Sequence, residues 1–322
     1  MPRADRRWDP QHLPDLTGRS YLVTGSNAGL GYFACEQLVR AGARVVMTGR
    51  NPNRLAAARA AIHRRVVDAA PALVETLLLD TSNMGSVRAA AASARMGDRL
   101  DGLLLNAGIV HPPKKRETTG DGHEVVFATN VLGHFALAGE LLTMLASSAG
   151  RMVWVGSMST TVTPYDPVDP QLTADYSGWR AYVQSKVATT ALGFEADRRL
   201  RAAGVAVTSV VAHPGYSTSG LTPGIAGVNS PSKATRFADN LQALFSQSKE
   251  HGAWSLVRAL ADPTIEGGEF WGPRTGSRGE PRRQTAAKIT RDPEIAARLW
   301  RTCEDVTGVK WPMEEAAQAS RR

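Results

Sequence analysis

TGSNAGLG, residues 24–31, joins a short apolar run to a stretch with helical spacing, and its glycines fall at Gly25, Gly29 and Gly31. A strand that turns into a helix through glycines exposes backbone N–H groups at the positive end of the helix, where a pyrophosphate can approach them closely. The spacing is G-x-x-x-G-x-G. A P-loop would end in Gly-Lys-Ser/Thr, so kinase- and NTPase-type readings fall away. In this setting the stretch reads as a dinucleotide loop, with Gly25, Ser26, Asn27, Gly29, Leu30 and Gly31 as its contacts.

The rest of the chain up to about Val211 alternates in the same way. Strand candidates are SYLVTG (20–25), ARVVMTG (43–49), LVETLLL (73–79), LDGLLLN (100–106), RMVWVGS (151–157) and VAVTSVVAH (205–213). Helix candidates lie near 30–41, 53–69, 83–95, 121–147 and 179–203. Short β-branched runs alternating with longer helical ones predict one α/β domain, a Rossmann-type, doubly wound parallel sheet with helices on both faces. Ligands then sit beyond the carboxyl ends of the strands. The expected organisation is a basic N-terminal extension (1–15), the Rossmann domain (16–265) with substrate loops at 160–179 and 216–231, and a C-terminal extension (266–322) packed on it. A helix near 232–248, a short edge strand within 266–281 and a terminal helix near 292–306 complete the reading.

Composition narrows the function classes. The 322 residues hold no apolar run near the roughly eighteen needed to span a bilayer, which argues against stable membrane insertion. Arg3, Arg6 and Arg7 precede no apolar secretory core. Cys35 and Cys303 have no CxxC partner, so a reducing cytoplasm and no metal are expected. A net charge of +8, concentrated in PRTGSRGEPRRQTAAK (273–288), comes without a zinc-finger spacing or RNP box, and no nucleic-acid partner is expected.

The second strand candidate ends at Gly49-Arg50, where the adenosine ribose of a dinucleotide would lie. A carboxylate there would bond the 2′-hydroxyl, whereas arginine pairs with a 2′-phosphate, so NADP(H) is preferred over NAD(H). Asp80 and Thr81, at the end of the third strand candidate, stand near the adenine; the competing role for Asp80 is N-cap of the next helix. Asn106, Ala107 and Gly108 offer small residues against which a nucleotide can lie.

GWRAYVQSKVATT (178–190) places Tyr182 and Lys186 four apart, on one helix face. Hydride transfer to a carbonyl builds charge on oxygen and needs a proton donor within reach. A cation about 4 Å from a phenol, at an effective dielectric near 20, is worth about 4 kcal/mol or roughly three pKa units, which would bring Tyr182 towards neutrality with help from an oxidised nicotinamide.

TGSNAGLG, LNAG (105–108), TNVLGHF (129–135), VGS (155–157), YVQSK (182–186) and HPG (213–215) together resemble the short-chain dehydrogenases/reductases, most closely the retinol-dehydrogenase-like group. The resemblance covers about 16–220. It implies a catalytic set of Ser157, Tyr182, Lys186 and Asn130, with Ser157 on the substrate oxygen, Lys186 also on the ribose and Asn130 holding a water of a proton relay. Tyr182, Lys186, Pro214, Gly215 and Ser219 would also meet the cofactor. Asn130 has an alternative role in kinking the long helix. Gly156 departs from the commoner Ser-Ser doublet, and His213 reads as structural. Tyr176, in a polar loop, is discounted as a competing phenol.

The expected activity is oxidoreduction between NADP(H) and a moderately hydrophobic carbonyl or alcohol, a small-molecule partner. A homodimer or homotetramer is implied by the family. A non-catalytic NADP(H) sensor is the first alternative, opposed by the intact Ser157, Tyr182 and Lys186. A sugar-nucleotide epimerase or dehydratase is the second, opposed by the glycine spacing.

Overall fold

The computed structural model describes residues 9–10, 12–161 and 165–321. Most of the basic N-terminal extension expected at 1–15, and 162–164 of the first substrate loop, lie outside the described residues. Six parallel strands come first: β1 (Ser20–Val23), β2 (Arg44–Gly49), β3 (Val74–Leu78), β4 (Gly102–Leu105), β5 (Arg151–Val155) and β6 (Thr208–Ala212). The helices α1 (Gly29–Arg40), α2 (Pro52–Arg65) and α3 (Met84–Ala94) follow the first three strands. Their starts carry legible signals: Asn51 accepts from the Arg54 N–H with Pro52 behind it, and Asn83 accepts from the Ser86 N–H.

After β4 the chain forms α4 (Val125–Phe127), a π-helical turn (Ala128–Leu132), α5 (Gly133–Glu140) and α6 (Leu142–Ser147). The single helix expected over 121–147 is thus divided, and Asn130 lies in the wide π turn. Helix α7 (Gly178–Ala202) is capped by Ser177. Beyond β6 lie β7 (Ser217–Thr218), α8 (Lys233–Leu241), β8 (Gln247–Ser248), α9 (Lys249–Ala261), β9 (Phe270–Pro273), β10 (Pro281–Gln284), α10 (Pro293–Thr307) and α11 (Met313–Ala319).

The main sheet runs β10-β9-β6-β5-β4-β1-β2-β3, all parallel except β10, which pairs antiparallel with β9. The chain order reverses between β1 and β4, which pair through Tyr21↔Gly102 to Val23↔Leu104. Helices α1, α2 and α9 cover one face over Val23, Val45, Leu104 and Val153. The other face is covered by α3, α5 and α7 over Leu22, Leu103, Met152 and Trp154, with Trp300 of α10 and Trp311 beyond them in the same core.

Three further expectations are corrected. The helix expected over 232–248 stops at Leu241, and 247–248 is a strand; helices α9 and α11 were not foreseen. The edge strand near 266–281 is not at the edge, because β9 pairs with β6 and hands the edge to β10. The helix expected over 53–69 ends at Arg65, where a turn at Pro71–Leu73 intervenes before β3.

Candidate active site

The glycine loop crosses the carboxyl end of the sheet at its switch point. Gly25 is left-handed (φ 63°), and a Cβ on it would stand 2.8 Å from the Ala107 Cα. A Cβ on Gly31 would stand 2.6 Å from Asn106 Nδ2, so the loop and the end of β4 touch where only glycine fits. Asn106 Nδ2 donates to the Thr24 and Gly25 carbonyls at 2.8 and 3.2 Å. Ser26 is buried, accepting from the Thr48 N–H and donating to the Thr48 carbonyl. Its hydroxyl therefore fastens the loop to β2. Asn27, Gly29 and Leu30 remain partly exposed along the rim.

Helix α1 starts there with no side-chain cap and no acid in its first turn, leaving its N-terminal N–H groups to an anion. Across this loop lies Lys249, the first residue of α9. Its Cδ and Nζ stand 3.5 and 3.8 Å from where a Gly29 Cβ would be. Burial lowers its pKa. A half-buried ammonium laid over an uncapped helix start suits a pyrophosphate. Sequence reading missed Lys249, because nothing local connects α9 with residue 29.

At the end of β2 Arg50 is exposed, and a Cβ on Gly49 would stand 2.9 Å from Asn27 Oδ1, so Asn27 lies against Gly49, next to Arg50. Asp80 does not cap α3; Asn83 does. Asp80 Oδ1 instead accepts from the Ser82 N–H and hydroxyl, in a local turn. Thr81 is buried, with its carbonyl packed against Gly133 where no Cβ fits.

The reacting groups meet at the ends of β5 and α7. Tyr182 donates its hydroxyl to Ser157 Oγ at 3.3 Å. Ser157 Oγ also accepts from the Ser159 N–H (3.1 Å) and hydroxyl (2.9 Å), so Ser159 is a second residue the sequence did not reveal. Lys186, 5% exposed, donates to the Val155 carbonyl at 2.7 Å and stands 6.0 Å from the Tyr182 ring centre. Burial holds Lys186 down at about 8. Burial also raises the Tyr182 phenol, opposed by its bond to Ser157. In the protein alone the Lys186 ammonium is turned to the Val155 carbonyl, and burial is the larger influence on the Tyr182 phenol.

Gly156 has a steric cause, since a Cβ there would stand 2.9 Å from Thr190 Oγ1 and 3.1 Å from Val211 Cγ1.

The model of the short chain dehydrogenase family matches residues 19–225. A polyprenol dehydrogenase of Mus musculus is 35% identical over 95% of this chain and 88% of its own. The chain belongs to the short-chain dehydrogenase family. Within it, the relatives place this dehydrogenase in the retinol-dehydrogenase-like group: retinol dehydrogenase 14 of Mus musculus is 30% identical over 91% of this chain and 87% of its own. A crystal structure of an uncharacterised Mycobacterium paratuberculosis protein superposes with a TM-score of 0.77 at 31% identity, covering 95% of this chain and 99% of that one. The family is one of nicotinamide-dependent oxidoreductases acting on small molecules.

In this dehydrogenase Asn130 is committed on every side-chain atom. Its Oδ1 accepts from the Ile109 N–H at 2.8 Å, and its Nδ2 donates to the Ile109 carbonyl and to Ser185 Oγ. Its carbonyl receives His134 Nδ1 at 3.1 Å. Nδ1 must then carry the proton, so His134 Nε2 accepts from the Thr24 hydroxyl at 3.0 Å. Burial first, and the Lys186 charge second, hold His134 down at about 3, keeping it neutral. The same Thr24 oxygen accepts from the Asn106 and Ala107 N–H groups, so one buried chain ties the nucleotide loop to the Asn130 turn.

His213 is buried, stacks on Phe270 and pairs Nε2 with Gln284 Oε1 at 2.9 Å, a structural position. Gly215 is left-handed (φ 66°) and presses on the Ser277 carbonyl. Pro214 accepts from Ser217 and Gln247 through its carbonyl. Ser219, partly exposed, begins an excursion whose neck is closed by β7 and β8. Tyr176 donates to the Pro113 carbonyl at 3.3 Å, away from Lys186.

Proposed function

We propose that the protein interconverts a moderately hydrophobic alcohol and its carbonyl compound with NADP(H), in the cytoplasm. The observation that carries this reading is the meeting of the Tyr182 hydroxyl, Ser157 Oγ and buried Lys186 beside a glycine cradle that a Cβ would fill. Gly25, Gly31, the start of α1 and Lys249 would hold the pyrophosphate, and Arg50 the 2′-phosphate. When bound, the dinucleotide supplies or accepts the hydride.

The chain's own residues handle position and protons. Ser157 accepts from Ser159 and Tyr182, which leaves its own hydroxyl proton for the substrate oxygen. Tyr182, held above its ordinary value by burial, is protonated at neutral pH and donates to the oxygen as the carbonyl is reduced. Lys186, below about 8, is a cation that favours the phenolate left behind. Met158 and Trp179, 44% and 54% exposed, line the approach with apolar surface, and the Trp179 ring centre is 6.0 Å from that of Tyr182. Relatives named for polyprenol and retinol support an apolar alcohol as substrate. Cys35 and Cys303, both buried and unbridged, fit a reducing compartment.

The test is Tyr182→Phe. Turnover of an aldehyde and ketone panel should fall by about 10²-fold or more, while NADPH binding by fluorescence stays within about twofold. Retained turnover would overturn the assignment of Tyr182 as proton donor.

A further inference from the structure

The excursion between β7 and β8 carries a helix turned inside out. Asp239 Oδ2 of α8 accepts from the Gly220 N–H at 2.6 Å, and Arg236 Nη1 donates to the Gly220 and Thr222 carbonyls. The polar side of α8 therefore faces the protein, and none of its residues is buried. Phe237, Leu241, Leu244 and Phe245 are 69%, 73%, 78% and 69% exposed. Their spacing makes a single apolar stripe, the side that a surface helix normally buries. An exposed stripe of this kind marks a surface that meets something apolar.

The charge around it says what. Asp239 is the only acid between Ser219 and Ser248, and its carboxylate is turned inward. Lys233 and Arg236 lie on the same helix. The basic run after 273 joins them: the β9–β10 turn carries exposed Arg274 and Arg278 against one exposed acid, Glu280, and Arg278 Nη1 donates to the Ala243 and Leu244 carbonyls at 2.8 and 3.1 Å. A cation is thus fixed at the margin of the stripe. Arg278 also lines, with Leu221, His251 and Trp254, a cavity of ≈ 510 Å³ that shares no residue with the site around Tyr182. A second copy set against this face by twofold symmetry would bring cation to cation. Anionic headgroups over an apolar layer complement it on both counts.

We propose that α8 and the turn after it dock the enzyme on a membrane surface bearing anionic phospholipid. Docking is peripheral, since among the described residues no helix is long and apolar enough to cross a membrane. The Phe and Leu side chains enter the headgroup boundary while the exposed Lys233, Arg274 and Arg278 face the phosphates. This docking stands whether or not the substrate is apolar, because binding is read without turnover.

The full chain should co-sediment with vesicles of phosphatidylcholine and phosphatidylserine, more weakly with phosphatidylcholine alone, and less as salt is raised. The double variant Phe237→Ser/Leu241→Ser should lose roughly tenfold or more in partitioning. Its melting temperature and its turnover of a water-soluble carbonyl should be unchanged. Arg278→Ala should remove the preference for phosphatidylserine. Failure of the wild-type chain to bind either vesicle, or equal binding by the double variant, would overturn the proposal. So would a fall in oligomeric state caused by the double variant, which would assign the stripe to a second copy.

Discussion

Lys186 shows how a single side chain is held at a cost to the fold. Burial takes its ammonium from 10.5 to about 8, a difference worth about 3 kcal/mol. Below about 8 both folded and unfolded chains hold the proton, and the cost is present in full. Between about 8 and 10.5 only the unfolded chain holds it, so stability rises with pH; above 10.5 the cost is gone. Lys186→Met removes the charge but also the bond to the Val155 carbonyl. It should therefore stabilise the protein at neutral pH by about 1–3 kcal/mol, with the gain fading above the ordinary lysine pKa, while turnover is lost. Denaturant melts at neutral and high pH check this, and an unstable variant at neutral pH would show that the lysine is not strained. Spacing and resemblance made Ser157, Tyr182 and Lys186 legible. Ser159 and Lys249 were not, since a hydroxyl in MSTT and a lysine at a helix start are ordinary in sequence, and only their neighbours give them roles.

Between elements, the fit of β5 to α7 explains a departure from the family pattern. Gly156 leaves β5 directly under Thr190 of α7, whose β-branched side chain has little rotamer freedom on a helix. Gly156→Ser should destabilise by about 1–3 kcal/mol through overpacking, and a second change, Thr190→Ala, should recover most of it. Thermal unfolding of both variants tests this; equal stability of the single variant and the wild type would show that Gly156 is not sterically required. The π turn at Ala128–Leu132 belongs to the same scale, placing Asn130 between Ile109 and Ser185. Its residues have ordinary helical spacing, so a continuous helix was the natural reading. Helix α9 was legible in retrospect: Ser248 caps it, and Ala253, Leu256, Val257 and Leu260 form its buried stripe.

For the molecule as a whole, the dinucleotide is expected to bind across β1, β2 and β4, three strands joined only by the sheet. Ligand at about a hundred times its dissociation constant should stabilise the fold by roughly 2.7 kcal/mol. At equal concentration NADPH should raise the melting temperature more than NADH, and Arg50→Ala should abolish the difference; a larger shift with NADH would overturn the 2′-phosphate role of Arg50. The alternating β and α runs, the glycine loop and the Tyr182–Lys186 spacing were set by the sequence alone, because strand, turn and helix periodicities are local and survive without knowing the neighbours. Strand order, the protonation of Tyr182 and Lys186, the reach of Lys249 over Gly29 and the outward apolar side of α8 were decided only by tertiary structure. Each depends on burial and on contacts between residues far apart in the chain, and no local pattern carries either.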